Sequence, residues 1–190
     1  PNFAKNAKKV IVDIDPNELK RMKMDKEVSL QEDARRFLEG LLELGADKKL
    51  PIEDWKNWLD YGKTLRRTYP CVTEEQRAQT DYVSTYYLID RLCDCLTESD
   101  VVVPESSGGA GEITYQAFRL KAGQKMKNAA GLGSMGFGLP YAVGSCIANE
   151  KRRTILINGD GAFQLNIQEL ETVRRLNLPI KMFILCNDGY

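Results

Sequence analysis

Histidine is absent from all 190 residues, which removes Ser-His-Asp and Cys-His nucleophile pairs and most zinc sites from consideration. An excess of either charge is lacking too. The 27 Lys and Arg balance 27 Asp and Glu, so no basic field draws nucleic acid or an anionic membrane surface, and neither is expected as a partner. No apolar run approaches the roughly 20 residues of a membrane-spanning helix, and the N-terminus lacks the basic-then-apolar layout of a signal peptide. Paired C-x-x-C knuckles are missing as well. Cys71, Cys93, Cys95, Cys146 and Cys186 are odd in number, with three inside apolar runs, a pattern expected of buried reduced thiols in a cytoplasmic protein. The absence of a G-x-x-x-x-G-K-[ST] loop leaves little support for a nucleotide-binding domain whose acid holds Mg²⁺ for a phosphoryl group.

What is present is an ordinary globular composition, 43% hydrophobic and 28% charged, enough for one large domain or one domain plus part of another. Residues 8–14 (KKVIVDI) read as a buried strand, and Asp15-Pro16 as the N-cap and first residue of a short helix. Ser29-Leu30-Gln31-Glu32 has the form of a capping box ahead of Ala34, Phe37, Leu38, Leu41 and Leu42, whose spacing gives one apolar helix face. Residues 1–44 are therefore expected to be the tail of a preceding α/β domain. Residues 45–80 turn polar and irregular around Pro51 and Pro70 and are expected to be a linker with an embedded helix. Its Trp55, Trp58 and Tyr61 fall at helical spacing and are expected to pack against the domain surface.

Residues 81–190 alternate regularly. An amphipathic helix from about Thr85 to Leu96 precedes a strand at 101–103 and a Ser/Gly loop at 106–111. A helix at about 137–148, a strand at 154–157, a helix at about 167–176 and a strand at 181–185 follow. This order predicts an α/β fold, a parallel sheet with helices on both faces, with ligands bound beyond the carboxyl ends of the strands. The start at Pro1-Asn2-Phe3 and the end at Tyr190, straight after a strand, give the expectation of a piece cut from a longer polypeptide.

The strand ends carry the chemistry. Glu105-Ser106-Ser107-Gly108-Gly109, Asn158-Gly159-Asp160-Gly161-Ala162 and Asn187-Asp188-Gly189 are each expected at one edge of the sheet, and Asp160 and Asn187 lie 27 positions apart. That distance accommodates a loop, a helix and a strand, so the two can face each other from neighbouring tips. A carboxylate, an amide oxygen and a carbonyl suit Mg²⁺, which takes oxygen ligands and shares its shell with phosphates. The flanking glycines would let the backbone approach a diphosphate. Plainer roles exist for each residue: Gly-Asp-Gly and Asn-Asp-Gly as turns, Met135 as core filler, and the loop at 106–109 as a connector rather than a phosphate cradle.

Taken together, Gly159-Asp160-Gly161 through Asn187 closely resembles the thiamine diphosphate motif. Gly131-Leu132-Gly133-Ser134-Met135-Gly136-Phe137-Gly138 resembles the loop that holds the aminopyrimidine ring in acetolactate synthases. Phe3-Ala4-Lys5-Asn6-Ala7-Lys8 leading into Val12-Asp13-Ile14-Asp15-Pro16 is similar to the end of that family's central domain. The resemblance implies a thiamine-diphosphate-binding fold, with Asp160, the Asn187 side chain and the Gly189 carbonyl on Mg²⁺. Ser107, Gly108, Gly133, Ser134, Met135, Gly159, Gly161 and Ala162 would surround the cofactor, Met135 propping its bent form and the Gly133 carbonyl receiving its amino group. It implies a lyase or carboligase acting on a 2-keto acid such as pyruvate, working as a homo-oligomer when full-length. The family's essential glutamate lies in an N-terminal domain outside this chain, so no catalytic residue is assigned here and the piece alone is expected to be inactive. Residues 105–112 depart from the family pattern, offering Ser, Gly and Glu where acetolactate synthases carry Gln-His. A non-catalytic binding or assembly domain of the same fold is the alternative.

Overall fold

The computed structural model describes residues 3–48, 52–129 and 131–187. The chain divides into two compact units, Pro1–Thr64 and Leu65–Tyr190. In the first, β1 (Val10–Asp13), α1 (Pro16–Arg21), β2 (Val28–Gln31) and α2 (Ala34–Gly45) precede α3 (Ile52–Thr68), which runs on into the second. Asp15 caps α1 as expected, its Oδ1 accepting from Asn17 N at 2.8 Å.

The expected capping box at Ser29 is replaced by a strand. Ser29 pairs with Ile11 in a parallel β1–β2 ladder, and the cap of α2 is Asp33, whose Oδ1 accepts from Arg35 N and Arg36 N at 2.9 and 3.2 Å. Alternating Val28 and Leu30 suit a pleated ladder, and this non-local pairing outweighs the local cap signal. A true box forms at Thr73 and Gln76, at the head of α4 (Glu74–Ala78). Among its described residues the stretch 45–80 thus holds the helices α3 and α4. Its Trp55, Trp58 and Tyr61 are 48%, 72% and 53% exposed, and the last two rings meet each other at 5.8 Å.

The second unit is built on α5 (Thr85–Cys95), β3 (Val101–Pro104), α6 (Gly108–Ala117), β4 (Lys125–Met126), α7 (Gly138–Ala148), β5 (Thr154–Gly159), α8 (Asp160–Gln164), α9 (Glu169–Arg175) and β6 (Ile180–Leu185). The sheet runs β4-β3-β5-β6 with every pairing parallel. One face of β3 and β5, carrying Val102, Ile155 and Ile157, packs on Ile89, Leu92 and Cys93 of α5 and on Ala110 and Ala117 of α6. The other, carrying Val101, Val103 and Leu156, packs on Leu139 and Ala142 of α7, with Phe163 and Val173 from α8 and α9 alongside. Helices therefore cover both faces, which is why these strands are apolar without alternation. No helix among the described residues is long and apolar enough to cross a membrane. Of the three cysteines in apolar runs, Cys93 and Cys146 are buried but Cys186 is exposed, and all five are free.

Three further elements were illegible in the sequence. Residues 106–111 are a turn and the first turn of α6 rather than a loop alone, β4 is only two residues long, and α8 starts directly at Asp160. Glycines at 108, 109 and 111 argue against a helix on propensity, yet close packing requires one of them. A Cβ on Gly111 would lie 2.5 Å from the Glu105 carbonyl oxygen, so only glycine lets α6 settle against the end of β3.

At the opposite end of the strands, Asp100 is 2% exposed and receives Arg153 Nε and Nη2 on its two oxygens at 2.6 and 2.5 Å. Burial pushes this carboxyl up, but the Arg153 hydrogen bonds, the Thr97 N–H and hydroxyl, and the Arg153 charge together hold it below its ordinary value. A folded value below the unfolded one, near about 3.9, gives stability that is complete above that pH and drains away as pH falls through the lower, folded value. Urea unfolding at stepped pH is expected to show this loss below about pH 4 in the wild type and a flatter profile in Asp100→Asn. Identical slopes for the two proteins would refute the coupling.

Candidate functional site

The strand order reverses between β3 and β5. From β3 the chain passes through α6 to β4 on one side, and from β4 through α7 to β5 on the other. This is the switch point of an open parallel sheet, where connections leave in opposite directions and a crevice opens beyond the carboxyl ends. A cavity of about 360 Å³ lies there, within the range of small-molecule sites.

Most of the wall comes from strand tips. The turn after β3 supplies Glu105, Ser107, Gly108, Gly109 and Ala110, and the turn after β5 supplies Gly159, Asp160, Gly161 and Ala162. Leu185 and Asn187 enter from the end of β6, Met135 from the segment before α7, and Thr85 from the start of α5. Gly159 stays extended as the residue before α8, and the Asp160 carboxylate accepts from Gly161 N at 2.9 Å. That bond holds the acid at the helix start, where it also meets the positive end of the peptide dipoles.

Among the sequence-predicted residues, Ser107, Gly108, Met135, Gly159, Asp160, Gly161, Ala162 and Asn187 share this cavity. Gly133 and Ser134 do not line it. Gly133 stands just behind the wall, its backbone at φ +62° and the position of a Cβ there 3.7 Å from Ser107 Cβ, while the Ser134 carbonyl accepts from Ser106 Oγ at 3.2 Å. Gly189 lies outside the described residues. Glu105, Gly109, Ala110, Leu185 and Thr85 line the cavity without having been singled out as ligands. Glu105 and Gly109 belong to a strand-end segment already marked in the sequence, and Ala110 and Leu185 adjoin strand tips; nothing in the sequence flags Thr85, far upstream.

Among the described residues two carboxylates, Glu105 and Asp160, are the ionisable groups on the walls. Glu105 is 1% exposed, and its oxygens accept from Ser106 N, Ser106 Oγ and Gly138 N at 2.8, 3.0 and 3.1 Å. Burial, and then the nearby Glu105 charge, push the Tyr115 phenol upward. Beside Glu105, both polar atoms of the wholly buried Asn158 side chain lack a hydrogen-bond partner, alone among the described residues, an arrangement that costs about 1–3 kcal/mol. Among the described residues no three His, Cys, Asp or Glu side chains group together. An ion here would draw on one carboxylate and neutral oxygens, and Asp160 with Asn187 offers such a set for a hard, phosphate-bound cation. Bare backbone at Gly108, where a Cβ would meet nothing within 4 Å, leaves room for a diphosphate beside it.

Residues 107–190 match the family described as "Thiamine pyrophosphate enzyme, C-terminal TPP binding domain". Acetolactate synthase 1, chloroplastic, of Zea mays is 36% identical over 188 residues, which is 97% of this chain and 28% of that protein. The acetolactate synthase isozyme 1 large subunit of Escherichia coli (strain K12) is 31% identical over 187 residues, 98% of this chain and 32% of its own length. The acetolactate synthase large subunit of Corynebacterium glutamicum is 33% identical over 190 residues, 97% and 29% respectively. The chain thus spans roughly three-tenths of these relatives. Residues 107–190 thus carry the C-terminal thiamine pyrophosphate-binding domain, and nearly the whole chain is similar to a stretch of acetolactate synthases.

Proposed function

We propose that the cavity at the β3–β5 switch point is the diphosphate and Mg²⁺ end of a thiamine diphosphate site, serving a lyase or carboligase that acts on a 2-keto acid such as pyruvate. The observation that carries this reading is the meeting of Gly159, Asp160, Gly161, Asn187 and Met135 around one cavity inside the segment that matches the cofactor-binding family. Bound there, thiamine diphosphate supplies the electron sink that lets a 2-keto acid lose carbon dioxide or join a second carbonyl.

The chain's own part is anchoring and orientation. Asp160 supplies the charged ligand and the Asn187 side chain a neutral oxygen, with the Gly189 carbonyl as the third. Gly159 and Gly161 admit the diphosphate close to the backbone, and Ser107 and Gly108 border it from the other wall. Met135 supports the cofactor's bend, and the Gly133 carbonyl takes its amino group. Residues 1–44 are read as the end of a central domain, 45–80 as a linker, and 81–190 as the cofactor-binding domain, within a homo-oligomer in a reducing compartment such as the cytoplasm. With Glu105 committed to three hydrogen bonds, Asp160 is the remaining ionisable side chain on the walls among the described residues. That favours binding without turnover for this stretch taken alone.

Calorimetric titration with thiamine diphosphate tests the reading. Saturable binding is expected in the presence of Mg²⁺ and is expected to vanish with EDTA, while thiamine lacking the diphosphate leaves the Gly159–Ala162 turn unperturbed. Binding indifferent to Mg²⁺, or equal for thiamine, would overturn it.

A further inference from the structure

We propose that Glu105 is a positioning residue of this site: its buried carboxylate, acting through Ser106 and Gly138, clamps the 131–138 segment and so sets where Met135 stands at the cavity. The inference rests on the thiamine diphosphate reading of that cavity only for what Met135 does there.

The geometry is a double tether around Met135. On its N-terminal side, Ser106 Oγ lies 3.0 Å from Glu105 Oε1 and 3.2 Å from the Ser134 carbonyl oxygen. The single hydroxyl proton is shared between these two acceptors in a three-centre bond, so Ser106 holds the acid and the residue before Met135 about one donor. On its C-terminal side, Gly138 N donates to Glu105 Oε2 at 3.1 Å, and Asn166 Nδ2 donates to the Gly136 carbonyl at 2.7 Å. Asn166 follows α8, the helix that opens with Asp160. Met135 is therefore held between the tip of β3 and the element that bears the proposed metal ligand. The fit at the acid is close. A Cβ on residue 138 would lie 2.9 Å from Glu105 Oε2 and 3.0 Å from Asn158 Nδ2, so α7 begins in contact with the carboxylate.

Chemistry explains why an acid is needed. Three donors, Ser106 N, Ser106 Oγ and Gly138 N, converge on two oxygens at a position 1% exposed, and no Lys or Arg pairs with Glu105 among the described residues. Only a carboxylate is acceptor on both sides; an amide of the same shape must turn an NH₂ group toward one donor. Burying an acid without a cation is costly. The return on that cost is a fixed segment beside the cavity.

Amide hydrogen exchange on the whole 190-residue chain tests the clamp, comparing wild type with Glu105→Gln and Ser106→Ala. Exchange in 131–138 is expected to rise about tenfold or more in Glu105→Gln. A smaller rise confined to 131–135 is expected in Ser106→Ala, and β5 amides should stay unchanged in both. In the wild type, thiamine diphosphate with Mg²⁺ should slow exchange in the segment further, and both variants should need more ligand for the same protection. Unaltered segment exchange in the variants overturns the proposal, as does an equal rise in β5, which would mean a general loss of stability. If Glu105→Gln does not fold, the comparison of Ser106→Ala with wild type decides between these outcomes. Absence of ligand protection in the wild type would defeat the cofactor reading instead, and the ligand-free comparison would still decide the clamp.

Discussion

Asp160→Ala is expected to lower the affinity for thiamine diphosphate in the presence of Mg²⁺ by at least about a hundredfold, since even outer-shell partners of a metal ion are worth roughly 10–100-fold. Asp160 is the charged member of the proposed ligand set, and the other carboxylate lining the cavity, Glu105, is already held by three hydrogen bonds. Without it the attraction for the ion falls to that of an amide and a carbonyl, and the diphosphate loses its bridge to the protein. Fold stability should barely change, because the residue is half-buried and its one hydrogen bond is to the adjacent backbone N–H of Gly161. Asp160→Asn separates charge from shape: it should keep the turn and still lose most of the affinity. The measurement is a calorimetric titration of wild type and both variants over a range of Mg²⁺. Affinity within threefold of wild type for Asp160→Ala, with Mg²⁺ still required, would remove this residue from the metal site.

Leu156→Ala carries the largest expected cost in stability, about 2–5 kcal/mol. Leu156 is 0% exposed at the centre of β5 and packs among Val101, Val103, Leu139 and Ala142. Neighbours held on two strands and a helix cannot all collapse into the space it leaves, so a cavity term adds to the lost transfer energy. The site should suffer with the fold, since Leu156 Cδ1 comes within 3.2 Å of where a Cβ on Gly138 would be. Leu120, 56% exposed in the same unit, is the matched contrast, and Leu120→Ala should change stability by less than about 0.5 kcal/mol. Urea unfolding followed by circular dichroism measures both. Equal midpoints for the two variants would show that the β5 core does not carry the unit's stability.

The residues that the sequence by itself determined are those whose signal is local. Apolar runs at 101–103, 154–157 and 181–185 read as strands, and the glycine with Asp or Asn beyond the last two as turns, of which Gly159-Asp160-Gly161 also opens α8. Parallel strands put such turns at one edge, so Asp160 and Asn187 were legible as neighbours from their spacing. The cap at Asp15 was legible for the same reason, because its partner Asn17 is two residues away. Tertiary structure alone decided what depends on partners distant in the chain. Ser29 became strand because Ile11 pairs with it. The glycines after β3 became helix because Gly111 fits against the Glu105 carbonyl, and Lys125-Met126 became a strand by lying beside Val101-Val102. The role of Glu105 belongs here too: the sequence marks it as part of a strand-end loop, and its contacts are decided only when Gly138, 33 positions later, is brought onto its oxygen. Local propensities differ by less than about 1 kcal/mol per residue, whereas burial and close contact between distant segments are worth several, so where the two conflict the distant partner prevails.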